Sequence, residues 1–347
     1  MKGKRTWLLR AAVLLAVTLL VAGIGSGLYL TELKAMLAAR QFRVATSAPE
    51  RSAAADRLVA LGDPGITRLL AFTRSPSEPW RAAALAALDR HLLTLGDGDP
   101  RAGRLTAAVL ETFPALDAGG QRAVLELLPT VLKKAGPEYA PRCQAVVAAG
   151  LNSPDPAVRV VATRLALHPA VNLRPELLSL LTAPEAEVRQ AALFAAAVAT
   201  GTEGEPLLTD EDLFRWLHDP DDGVRRVCRD ALVGRDRSES EIELGRRLTD
   251  PDPLERLKLL LDLRYDDDVT DPEPWLERLS HDPEPAVRAG VARVAVESAT
   301  TRGLPRPAWI HRLAEADADP TVRRVARFFR GQPAGRAGPN APPRVAP

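Results

Sequence analysis

Apolar residues recur along most of the chain in short, regularly spaced bursts, and five of these bursts share a marker. Val158-Arg159, Val188-Arg189, Val224-Arg225, Val287-Arg288 and Val322-Arg323 are the only Val-Arg dipeptides in the sequence. Around each arginine, apolar residues stand one before, two after and six after it, as in Val158, Val161 and Leu165 or Val322, Val325 and Phe329. That spacing predicts one face of an amphipathic helix opening at the arginine. A second apolar stretch ends about eight residues upstream, with Leu177 and Leu181, Leu213 and Leu217, or Leu244 and Leu248 at i, i+4. The predicted unit is therefore a helical hairpin.

The turns before the five dipeptides read SPDPAVR, APEAEVR, DPDDGVR, DPEPAVR and DADPTVR, and weaker copies end at Arg51, Arg81, Arg122 and Arg256. The nine arginines are separated by 30 to 41 residues, averaging about 34, which is the period of a repeat protein. Proline fits this scheme. Pro156, Pro220, Pro253, Pro285 and Pro320 sit in turns or first helical turns, where a missing N–H costs little and a neighbouring Asp or Ser caps the free donors.

Repeats such as ERSAAADRLVALGDPGITRLLAF (residues 50–72) and DPEPAVRAGVARVAV (282–296) resemble HEAT repeats, of the short kind also found in phycobilin lyases. The resemblance covers residues 48–330 and implies an all-α fold, an α-solenoid of about eight helical hairpins used as a scaffold or binding surface. Tetratricopeptide and ankyrin signatures are absent. Pro129, seven residues after Arg122, departs from the pattern and predicts an interruption in the third unit's first helix.

Residues 11–30 run AAVLLAVTLLVAGIGSGLYL without a charge, about 30 Å as a helix, which is bilayer length. Four bases precede the run, so the sequence predicts an uncleaved, single-pass bacterial membrane protein with its N-terminus in the cytoplasm and the repeats on the far side. A cleaved signal peptide, giving a secreted periplasmic binding module, is the alternative. The expected organisation is a basic segment at 1–10, the anchor at 11–30, a helical stalk at 31–47, the solenoid at 48–330 and a disordered Pro/Gly-rich tail at 331–347.

Composition narrows function mainly by exclusion. The chain is 46% hydrophobic and only 4% aromatic, with two cysteines, so a disulfide scaffold is excluded and a β-rich fold disfavoured. Residues 1–43 hold seven bases against Glu32, and the remainder holds 39 bases against 44 acids. A mildly acidic body lacks the basic patch that nucleic acid requires. The recurring Asp/Glu and Arg read as unit-building residues: the arginine bonds neighbouring turn carboxylates and carbonyls in a ladder, and the acid favours the helix N-terminus. Cys228 occupies the slot three after its arginine that elsewhere holds Ala54, Ala84, Ala162, Ala192 and Ala326, which predicts a buried, inert thiol. Cys143 is too distant along the stack to pair with it. His91, His168, His218, His281 and His311 form no ligand spacing, and the acidic stretches at Asp97/Asp99 and Asp266–Asp268 with Asp271 match no calcium loop.

No catalytic, cofactor-binding or metal residue is therefore expected, and no cofactor. The candidate site is Trp216, Trp275 and Trp309, which fall on second helices and are the residue type enriched at binding hot spots. The expected function is a non-enzymatic, membrane-anchored scaffold for a protein partner, with a HEAT-like lyase or ligand-modifying protein as the rival class.

Overall fold

A computed structural model describes residues 29–200, 204–265 and 271–331. The chain is helical, with one isolated bridge between Thr200 and Pro206 and no strand among the described residues. It divides into two compact units at Ala196/Ala197.

The first unit holds α1, which covers residues 29–44, and then α2 (Ala48–Ala60), α3 (Asp63–Thr73), α4 (Glu78–Thr94), α5 (Pro100–Thr112), α6 (Ala118–Lys134), α7 (Ala140–Leu151), α8 (Pro156–Ala166), α9 (Arg174–Ser179) and most of α10 (Ala186–Ala197). Helices α2, α4, α6 and α8 pack in succession, and α5, α7 and α9 form a second row against them. The second unit continues with α11 (Asp210–Trp216), α12 (Asp222–Val233), α13 (Glu239–Leu248), α14 (Pro253–Tyr265), α15 (Glu273–Leu279), α16 (Pro285–Arg302), α17 (Trp309–Ala316) and α18 (Pro320–Gly331). There α14, α16 and α18 pack in succession, and α15 and α17 each pack on α16. Each unit is thus a helical repeat array, stabilised by contacts between neighbouring hairpins.

The buried face of the first helices differs in detail from the −1, +2, +6 spacing. Val158, Val188, Val224, Val287 and Val322 are fully buried, and so is the residue three after each arginine, including Ala162, Ala192, Cys228, Val291 and Ala326. Val161, Val227 and Val325, two after, are only half-buried. Residues at −1 and +3 are four apart and lie one above the other on the helix, so they define the contact line. The small residue at +3 allows close approach: a Cβ on Gly150 of α7 would stand 3.0 Å from the Ala162 Cβ on α8.

Two expectations are corrected. Helix α6 runs without interruption through Pro129. The single-pass membrane assignment is not supported: no helix among the described residues is long and apolar enough to cross a membrane. Of residues 11–30 only Tyr29 and Leu30 are described, in a helix that carries Glu32, Lys34, Arg40 and Arg43. That helix belongs to the first unit, because Glu32 pairs with Arg68 at 3.1 Å and Phe42 meets Phe72 edge-on at 4.6 Å. Residues 1–28 and the Pro/Gly-rich stretch 332–347 lie outside the described residues, as do Asp266, Asp267 and Asp268.

Candidate functional site

The repeated turn is built from three side chains with separate tasks. In six of the nine turns the residue six before the arginine folds its side chain back onto the main chain: Asp219, Asp250, Asp282 and Asp317 accept from the N–H two residues on at 2.8–2.9 Å, and Ser75 and Ser153 do the same at 3.2 and 3.3 Å. The residue four before is the N-cap, and Asp155, Asp221, Asp252 and Asp319 accept from the first helical N–H groups. The arginine then reaches back and its Nη1 donates to the carbonyl six before. Arg51, Arg81, Arg159, Arg189, Arg225, Arg256, Arg288 and Arg323 all make this bond, at 2.5 to 3.5 Å.

Several arginines also join one repeat to the next. Arg256 donates through Nε and Nη2 to both carboxylate oxygens of Asp282, at 2.7 and 2.9 Å. Arg288 does the same to Asp317, at 2.8 and 2.9 Å. In the first unit Arg81 bonds Asp117 and Arg159 pairs with Glu185. Rungs of the ladder expected from the sequence are present at Arg81, Arg159, Arg256 and Arg288. The carboxyl of Asp317 is held below the usual carboxylate range, first by the Arg288 guanidinium.

The three tryptophans stand half-buried on the short second helices α11, α15 and α17. Trp275 and Trp309 pack at the margin of one core cluster that includes Leu248, Leu276, Leu279 and Ile310. Trp275 also lies 6.4 Å from the buried Phe214 ring, and the exposed Arg278 sets its guanidinium 5.3 Å from the Trp275 centroid and 5.9 Å from that of Phe214. A cation over two aromatic faces is an attractive arrangement and fixes a charge beside an apolar edge. Phe214 reaches this position because Gly245 on α13 leaves room: a Cβ there would stand 2.4 Å from the ring. The indole N–H of Trp309 is buried and meets no acceptor among the described residues. Trp216 ends α11 and shares none of the ring contacts of Trp275.

Phe214 and Arg278 were missed from the sequence. Arg278 had a signal, since i, i+3 from Trp275 places both on one helix face. Large exposed apolar residues also occur five after the arginine, at Phe194, Leu261 and Phe328, a position the amphipathic pattern leaves to solvent.

No protein family matches the chain, and no curated protein matches it. Among solved structures, the X-ray structure of YibA from Escherichia coli, a structural-genomics target, resembles it with 17% sequence identity and a TM-score of 0.39, over 83% of this chain and 98% of that one. The helical repeat architecture is visible in the packing of the helices themselves.

The other candidate groups have structural partners. His218 Nε2 lies 2.7 Å from the Arg246 carbonyl, and His281 faces Arg312, whose Nη2 also donates to the buried Ser280 hydroxyl at 2.7 Å. Both histidines therefore tie one second helix to the next. Asp97 pairs with Lys134, and Asp99 caps α5 while pairing with Arg101, which with the capping N–H lowers its pKa to about 2. Cys143 and Cys228 are fully buried and unpaired with each other. Burial raises the Cys143 thiol to about 11 and, with a contribution from Asp219, the Cys228 thiol to about 12. No group of three metal-capable side chains occurs among the described residues.

Proposed function

We propose that the chain is a non-enzymatic, HEAT-like helical scaffold that binds a protein partner through the second helices of its C-terminal unit, around Trp275 and Trp309. One observation carries the reading: Trp275 sits half-exposed with Arg278 over its ring and over that of Phe214. Tryptophan and arginine are the residues most enriched at binding hot spots, and a preset pair loses little side-chain freedom on binding. The engagement of most of the repeated acids and arginines in caps, turns and rungs argues in the same direction.

The test starts from partners captured on the immobilised full chain, identified by mass spectrometry and re-tested as purified proteins. Arg278→Ala and Trp275→Ala should each weaken binding by about 1 kcal/mol or more with the helical circular-dichroism signal intact. Undiminished affinity in both variants would move the site elsewhere, and loss of the helical signal in Trp275→Ala alone would make that ring a core residue.

A further inference from the structure

In the rungs at Arg256 and Arg288 the arginine divides its donors in a fixed way. Nη1 serves the carbonyl of its own turn, while Nε and Nη2 grip the carboxylate of the following turn, Asp282 or Asp317. Arg323 repeats only the first half. Its Nη1 donates to the carbonyls of Asp317 and Ala318, at 2.5 and 3.0 Å, and its Nε and Nη2 meet no acceptor among the described residues. Among the described residues no side-chain carboxylate completes this rung.

The surroundings suit an acidic visitor. Helix α18 carries Arg323, Arg324, Arg327 and Arg330 with no acid of its own; Arg330 pairs with Glu315 of α17 and Arg327 donates Nε to the Ala314 carbonyl, while Arg324 and Arg327 are exposed. Phe328, 63% exposed, lies one turn beyond Arg324 and meets Phe329 edge-on at 5.1 Å. Whereas α16 packs on both α14 and α18, the main packing of α18 is on α16 and α17.

We infer that the outer side of α18 is a docking surface for an acidic segment of another protein, whose Asp, in a helix-opening turn like that of Asp282, enters the Nε/Nη2 fork of Arg323. Bidentate carboxylate recognition is what a fixed guanidinium provides and lysine does not. A second copy of this chain fits less well, because the turn before Arg51 carries Ala45 at the position of Asp282. The tryptophan reading rests on Trp275 and Arg278 of α15, so failure here would leave it intact.

The probe is a fluorescently labelled peptide of residues 279–297, which presents the Asp282 turn, titrated with the full-length chain. The expected result is binding that weakens with added salt and falls at least about tenfold with the Asp282→Asn peptide, and likewise with the Arg323→Lys chain. The peptide substitution leaves the folded protein untouched, so it decides the matter even if Arg323→Lys loosens α18. Equal binding of the Asp and Asn peptides, or no binding at about 1 mM, would overturn the inference. Sedimentation equilibrium supplies the remaining arm: a dimer of the unmodified chain that Arg323→Lys dissociates would replace the foreign partner with a second copy.

Discussion

Asp282 grips Arg256 with both carboxylate oxygens, and the pair is nearly sealed from water, with side-chain exposures of 4% and 9%. The same residue gives its carbonyl to Arg288 and accepts the Glu284 N–H. One side chain and its peptide group therefore fix the local turn and join it to the repeat before.

Removing one member of that pair strands the other in a nearly dry site. Arg256→Met should lower the unfolding free energy by about 3 to 5 kcal/mol, the cost of an uncompensated buried charge. The exposed pair Arg90–Asp56 is the comparison, and Arg90→Met should cost about 1 kcal/mol or less. Urea titration followed by circular dichroism measures both. Similar losses in the two variants would mean that burial does not set the strength of the rung.

Stability should fall in acid in part through Asp317. Arg288 lowers its pKa in the folded state, so its contribution is full above the unfolded value, about 3.9, and is lost as pH falls through the folded value. The unfolding midpoint should therefore change little through this group from about pH 7 to pH 5 and drop below about pH 4. Asp317→Asn should be less stable at neutral pH and should flatten the acid limb. Parallel acid limbs in the two proteins would remove Asp317 from the account.

Gly245 sets helix preference against packing. Helix propensity alone favours Gly245→Ala by about 1 kcal/mol. The new Cβ would, however, stand 2.4–2.5 Å from three atoms of the Phe214 ring, and overpacking of a tight core costs about 1 to 3 kcal/mol. A net loss of stability is expected, together with a change in Trp275 fluorescence as Phe214 shifts. A rise in melting temperature would show that the ring moves aside freely.

The slot three after each arginine tolerates little added volume. Ala192→Trp should destabilise by at least about 1 to 3 kcal/mol, since Ala192 is fully buried. An unchanged melting temperature would displace the assigned contact line.

Both thiols should be silent in the native protein. With pKa values raised to about 11 and about 12 by burial, Cys143 and Cys228 hold almost no thiolate at pH 8, and the thiolate is the reacting form. A thiol reagent should label them at the rate of unfolding, and urea should accelerate both. Fast labelling of either in the folded chain would mean that its helix opens locally.

The helix starts were legible because Asp, Pro and Val-Arg carry local instructions: a cap, a fixed φ and a buried anchor. Local instructions survive in a single sequence. The rungs were legible as chemistry, though not as pairings such as Arg256 with Asp282, which depend on how far one hairpin steps past the next. Phe214 beside Trp275 was hidden for the same reason, since the space for it comes from a glycine on a third helix. The apolar run at 11–30 pointed to a bilayer span, yet Tyr29 and Leu30 lie in a helix bearing four charges whose partners, Arg68 and Phe72, are in the next hairpin. Hydropathy alone does not register such partners.

A turn in which Asp282 serves the repeat before while its peptide group serves its own repeat has an evolutionary corollary. Each hairpin of this kind brings one donor and one acceptor, so duplicating or deleting a whole hairpin leaves every junction matched, whereas a break inside a hairpin leaves a charge without its mate. Chains of this type can lengthen or shorten by gene duplication in steps of one period, and a change of length need not wait for compensating substitutions.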